Sequence, residues 1–168
     1  MSWPKIIIFF FNFAVTLDYI LADVKSRIDL GLSWLYEEHS FMQGFNRFPF
    51  FLKQDKKPDE NYNTLLKTLM LEVMYKCKLD VRDREVLLNR LYLEVPIITE
   101  DAMDLLKDMC CDETKASIGL KLLEDLILKR PPRQMNFLNA LLIHTSHESP
   151  MVSRESKFSI LFMFITNV

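Results

Sequence analysis

Six residues of this 168-residue chain are of types that ligate metals or attack electrophiles: Cys77, Cys110, Cys111, His39, His144 and His147. A structural zinc site wants four well-spaced ligands, usually including a paired C-x-x-C, and the chain has no such pair. Cys110 and Cys111 are adjacent. His144 and His147 are one helical turn apart, but no other ligand lies near them in sequence. The expected outcome is no metal, with Cys77 and Cys110 acting as small core residues. Ser146, His147 and Asp112 supply the side chains of a nucleophile, a base and an orienting acid. Nothing in the sequence places Ser146 on the strained turn that activates a nucleophile, so no catalytic residue is expected. Glycine is scarce, with only Gly31, Gly44 and Gly119. Without a glycine-rich loop there is no phosphate cradle, and no cofactor or small-molecule ligand is expected.

The other cluster with chemical potential is basic. Lys129, Arg130 and Arg133 surround Pro131-Pro132 between two leucine-rich stretches. Cations at the end of a helix complement its dipole, and proline opens the next helix at a position where its missing N–H costs little. By this reading the tract is a hinge. Arginine also pairs bidentately with carboxylates, so Arg130 and Arg133, with Lys129 beside them, are candidate contacts for acidic groups on a partner. The two readings are compatible: hinge first, contact second. Trp34 and Tyr36 point to different helix faces, Trp34 towards the core and Tyr36 outward as a surface anchor for a partner.

The elements that must position these residues are helical. Hydrophobic residues make up 49% and charged residues 26%, the balance of a folding chain. A net charge of −2 and a pI near 5.9 argue against a general nucleic-acid binder. An odd cysteine count with two neighbours fits a reducing compartment. From Asp18, the residues Ile20, Leu21, Val24, Ile28, Leu32 and Leu35 recur at helical spacing, predicting a helix to about His39 that frays near Gly44. The tract NRFPFFLKQDKKPDEN, residues 46–61, reads as a loop whose Phe48, Phe50 and Phe51 fold back on the core. A second helix starts at Asp59 as N-cap, with Leu65, Leu66, Leu69, Val73 and Met74 on one side. A third starts at Leu79-Asp80, carries Val86, Leu87, Leu91 and Val95, and stops at Pro96. Thr99 caps a fourth, with Glu100 and Asp101 in its first turn and Leu105, Leu106 and Met109 facing inward. Asp112 caps a fifth, with Ala116, Leu120, Leu123 and Ile127 inward. Pro131 or Pro132 opens a sixth, with Phe137, Leu138, Leu141 and Leu142 as its core face. A broken helix follows Pro150.

These helices repeat in pairs. Leu105-Leu106 falls on Leu141-Leu142 about 36 residues later, and Leu65-Leu66 lies about 40 residues before Leu105-Leu106. The expected fold is all-α, an α-solenoid of HEAT-like helix pairs in which each pair buries its apolar face against its neighbours. The repeat domain spans 18–165.

The tracts DLGLSWLYEEHSFMQGF, PDENYNTLL, PIITEDAMDLLKDMCCDE and GLKLLEDLILKRPPRQMNFLNALLIHTSHE, in that order, resemble the C-terminal helical domain of the symplekin family over residues 26 to 156. LSWLYEE, the tract from Pro96 to Asp112 and the KRPPRQ turn carry most of the likeness. The resemblance implies a nuclear, non-enzymatic scaffold of pre-mRNA 3′-end processing. It implies docking to the cleavage and polyadenylation specificity factor, including its endonuclease subunits, and to cleavage stimulation factor. It implies neither direct nucleic-acid binding nor membrane attachment. Residues 1–17 and the stretch after Phe158 depart from the family pattern, and its usual Val-Arg pair is here Val152-Ser153-Arg154.

The apolar start, MSWPKIIIFFFNFAVTLDYILAD, has the composition of a secretory signal, with Ala22 before Asp23. A misplaced gene start would give a similar stretch. Its run from Ile6 to Leu17 is about 12 residues, too short to cross a bilayer, which takes about 20. The competing reading is a secreted or membrane-associated helical protein with Met1–Ala22 as its targeting segment.

Overall fold

The computed structural model describes residues 14–45, 58–76, 79–146 and 150–166; Phe48, Phe50, Phe51, Cys77 and His147 lie outside them. Among the described residues every regular element is helical and none is a strand. No described helix is long and apolar enough to cross a membrane. The chain divides into two compact units, Met1–Leu88 and Asn89–Val168.

In the first unit, α1 covers 14–22 and α2 covers Val24–Met42. One continuous helix was expected here, but it breaks at Asp23. The Asp23 carboxylate accepts from the amide of Ser26 at 3.3 Å and so competes with the backbone ladder, as short polar side chains do. Arg27 bridges the break: it donates to the carbonyl of Tyr19 and lies over that ring, 3.8 Å from its centroid. The apolar stripe survives the break, with Ile20, Val24, Ile28, Leu32 and Leu35 all buried. Helix α2 ends in a Schellman turn. Gly44 at φ 83° donates to Phe41 O, and Phe45 donates to Ser40 O. Gly31 lets α2 approach the next helix closely, since a Cβ there would lie 3.2 Å from Cδ1 of Leu69.

Helix α3 is Pro58–Leu71, so the first helical residue is Pro58, and Asp59 falls in the first turn instead of at the cap. Tyr62, Leu65, Leu66, Leu69 and Met70 are buried, and the chain runs on through a π turn, Glu72–Lys76, that keeps Val73 and Met74 buried. Arg84 holds this turn by donating Nε–H to Val73 O at 3.2 Å. Helix α4 is Val81–Glu94, capped by Asp80, whose Oδ1 accepts from the Asp83 amide at 2.6 Å. Its buried stripe is Leu87, Leu88, Leu91, Tyr92 and Val95; Val86, expected inward, is 53% exposed. The stripe lies one position later than Val86 because Leu88 and Tyr92 bury far more apolar area than a valine. The division between the two units falls inside this helix.

The second unit holds α5 (Glu100–Cys111), α6 (Ala116–Lys129), a 3-10 turn (Pro131–Arg133), α7 (Gln134–His144) and α8 (Pro150–Thr166). Helix α8 is continuous where a broken one was expected. Thr99 caps α5 as its spacing predicts, accepting from the Ala102 amide at 3.3 Å. Asp112 does not cap α6; it ends α5 and folds the turn, accepting from the amide and hydroxyl of Thr114. Its backbone oxygen receives the amides of Lys115 and Ala116. Helix α6 contacts α5, α7 and α8. That explains why it is apolar on most sides, with Gly119, Leu120, Leu122, Leu123, Leu126 and Ile127 all buried. A Cβ on Gly119 would sit 2.8 Å from Sγ of Cys110 and 3.1 Å from its backbone nitrogen, so glycine is what lets α5 and α6 touch there.

The repeat register needs a correction. Leu106 is buried and Leu105 only partly so, whereas in α7 it is Leu141 that is buried and Leu142 that is 45% exposed. The leucine doublets align in sequence but turn opposite members inward, because α7 starts from the rigid 3-10 turn that sets its rotation. Leu141→Ala should therefore cost about 2–5 kcal/mol and Leu142→Ala less than about 1 kcal/mol, read as a shift in the urea unfolding midpoint at unchanged slope.

Candidate functional site

The basic turn is built on a shortage of donors. In a continuing helix the amide of residue 96 would donate to the carbonyl of Tyr92, but Pro96 has no amide hydrogen. Arg130 supplies the missing donor from the end of α6. Its Nη1 donates to Tyr92 O at 3.0 Å, and its Nη2 to Val95 O at 2.7 Å and Pro96 O at 3.1 Å. Arg133, at the end of the 3-10 turn, donates Nη1 to Ile98 O at 2.7 Å. Two guanidinium groups thus hold the α4–α5 connection, four carbonyls in all. The planar fork matters, because a lysine ammonium on a flexible stem presents no such spread of donors. The same connection is fastened from inside. The buried Tyr92 hydroxyl donates to Ala102 O at 2.8 Å. Beside it, Asn89 donates to Asp125 at 2.7 Å, and Lys129 pairs with the other oxygen of that carboxylate.

The structure brings Lys129, Arg130 and Arg133 together, as the sequence suggests, and assigns each an internal partner. Arg130 is half-buried, and Lys129 and Arg133 are exposed. Tyr36 is in the first unit, on α2, and is 50% exposed, matching its reading as a surface side chain. Trp34 is only half-buried, at the margin of the core and not within it; its Nε1–H donates to Glu38 Oε1 at 3.1 Å. Burial pushes the Glu38 carboxyl above its ordinary range, and the Trp34 bond opposes that shift.

Among the described residues the thiols and imidazoles do not converge. Cys110 is buried between α5 and α6, and burial, followed by the neighbouring Cys111, pushes its thiol up to about 12. Cys111 is exposed. His144 is buried at the end of α7, and His39 packs against Tyr62 with ring centroids 6.3 Å apart. Among the described residues no group of His, Cys, Asp and Glu is placed to hold a metal ion. The bonds from Lys115 and then Thr114 hold the Asp112 carboxyl down at about 2, leaving it an ionised turn-former.

One surface feature escaped the sequence reading. Between α5 and α7 runs an open groove of about 270 Å³. Met103, Phe137 and Ala140 form its buried floor, and Ile143, 69% exposed, also lines it. Lys107 and Arg133 stand on its rim with Glu100, Asn136 and Asn139. The available signal was the pair of stripes 100/103/107 and 136/140/143, each at helical period. What sequence could not supply was that these two stripes face each other.

Replacing Arg130 with Met, which keeps the stem and removes the donors, should cost about 2–4 kcal/mol in chemical unfolding, and Arg133→Met about 1 kcal/mol. In the Pro96→Ala background, where an amide is restored, the cost of losing Arg130 should shrink by at least about 1 kcal/mol, measured as a double-mutant cycle. A thiol reagent at neutral pH should label Cys111 in the native protein and leave Cys110 unlabelled until unfolding, as peptide mapping would show.

No family model matches this chain, and no solved structure matches its fold; the functional reading stands on the quoted sequence tracts and on the residues described above.

Proposed function

We propose that this chain is a docking scaffold of the pre-mRNA cleavage and polyadenylation machinery, working in the nucleus and binding proteins instead of catalysing a reaction. The observation that carries the reading is the ordered set of tracts resembling the symplekin family across residues 26 to 156, the KRPPRQ turn foremost. The partners this implies are the cleavage and polyadenylation specificity factor with its endonuclease subunits, and cleavage stimulation factor. The finer fold belongs to the same proposal: helix pairs stacked in HEAT fashion. Supporting it within the second unit, α5 meets α7 and α6 meets α8, and α5–α6, α6–α7 and α7–α8 are also in contact. First-to-first and second-to-second contact is what stacking of two-helix units requires. A chain of net charge −2 suits protein partners better than a polyanion.

The secretory alternative has a physical cost. Cleavage after Ala22 would remove Ile20, which is fully buried against α2. A fluorescent reporter fused after Val24 should stay out of the secretory pathway; entry into it would end the nuclear reading. Pulldown of the full chain from nuclear extract should recover cleavage-factor subunits, identified by mass spectrometry, and Tyr36→Ala or Arg133→Glu should reduce that recovery severalfold. Arg130→Glu is unsuited to this test because it removes the clamp on α4.

A further inference from the structure

The groove between α5 and α7 has no part in the clamp that holds the α4–α5 connection, except that Arg133 belongs to both. We propose that it is a docking site for a short amphipathic helical segment of a partner protein. In this arrangement one bulky apolar side chain sits over Ala140, between Met103 and Phe137, and an acidic residue one turn away pairs with Arg133 or Lys107. The inference rests on the docking reading above, but not on which machinery the domain serves.

Size comes first. At about 270 Å³ and open along one side, the groove falls below the ~300–1,000 Å³ of sites that enclose a small molecule. It suits one or two anchoring side chains of a larger partner. Its length follows from the α5 stripe: Glu100 to Lys107 spans about 10 Å at 1.5 Å per residue, the length of two turns of a bound helix. Ala140 is what makes the depression, since any larger side chain at that buried position would fill it. Met103 on the opposite wall is unbranched and adapts to the shape of an inserted residue.

Charge then selects the partner. Lys107, Arg133 and Glu100 line the groove, and Asp104 and Asp108 also act on Lys107, so the cation offered to a partner carboxylate is chiefly Arg133. Lys107 pairs with Asp104, its neighbour on α5, in an exposed contact at 2.8 Å, an interaction weak enough to exchange for a partner carboxylate. Arg133 is exposed and holds Ile98 O through Nη1. The clamp thus orients the guanidinium at the rim instead of leaving it to wander, which lowers the entropy cost of capture.

The test is selection of a random peptide library displayed on phage against the purified full chain, followed by titration of the enriched peptides. The expected consensus is a Leu, Met or Phe with Asp or Glu three or four positions away. Affinity should fall at least tenfold with Ala140→Leu, which fills the groove, and with Lys107→Glu, and it should weaken with added salt. Should Ala140→Leu disturb folding, Ile143→Ser and Lys107→Glu, both at solvent-facing positions, carry the result. No enrichment, a basic consensus, or peptides indifferent to these variants would overturn the proposal. Cleavage factors recovered equally by wild type and the groove variants, with no groove-dependent peptide enriched, would remove the groove and leave the scaffold reading in place. Groove-dependent peptides without any cleavage factor in the pulldown would do the reverse.

Discussion

A proline that ends a helix leaves a carbonyl one turn back with no amide to receive, and a buried carbonyl cannot be left in that state cheaply. Pro96 creates this shortage at Tyr92, and the connection after it adds the carbonyls of Val95, Pro96 and Ile98. Arg130 and Arg133 meet all four. The placement of α5, α6 and α7 follows from this. Arg130 closes α6 and Arg133 closes the 3-10 turn that opens α7, so the junction between those helices is bolted to the end of α4. The intervening Pro131-Pro132 stiffens the turn, and the two guanidinium groups are held at fixed separation.

With that junction fixed, the leucine layers do the remaining work. Helix α6 is enclosed by α5, α7 and α8 and is apolar on most of its circumference. It comes close to α5 at Gly119, where a Cβ would lie 2.8 Å from the Sγ of Cys110 and 3.1 Å from its backbone nitrogen. A similar device, in milder form, operates in the first unit at Gly31 against Leu69. Two of the chain's three glycines therefore serve close helix contact, and the third, Gly44, takes the left-handed conformation that ends α2. A chain with so few glycines has spent none on a loop.

Helix existence was legible in the sequence because periodicity of leucine, isoleucine and valine is a direct consequence of one-sided burial. One cap of the simple kind was legible too, Thr99 with Glu100 and Asp101, and so was the start of α4 at Leu79-Asp80. Rotation was not. Val86 and Leu142 fit the period as well as their neighbours do, and only the direction in which each helix enters its bundle decides which of two adjacent residues faces in. Asp112 was misread, and the break at Asp23 was missed, for a related reason. An aspartate can cap, break or fold a turn with the same side chain, and the choice depends on where the next amide lies. The arginine clamp was half legible. The sequence marks Pro96 as a stop and Arg130 as a cation at a helix end, but the 34–38 residues between the donor and its acceptors leave no pattern to read. The groove was invisible because it exists only between two helices and is made by the smallness of Ala140.

The clamp and the groove are linked by one residue, and this bears on how a helical domain without a reactive centre acquires specificity. Affinity at such surfaces comes from a few anchors whose conformational freedom was lost before the partner arrived. Arg133 is in that condition because Ile98 O already holds one of its nitrogens, and Phe137 and Ala140 are in it because they belong to the core. A surface lysine of the same charge would have to be immobilised on binding, at a cost of up to about 2 kcal/mol in side-chain entropy. The donor shortage at Pro96 therefore does more than fix the path of the backbone. Arg130 answers that shortage while Arg133, three residues on, holds Ile98 O beside an apolar depression, and an interaction made in folding also prepares a surface for recognition.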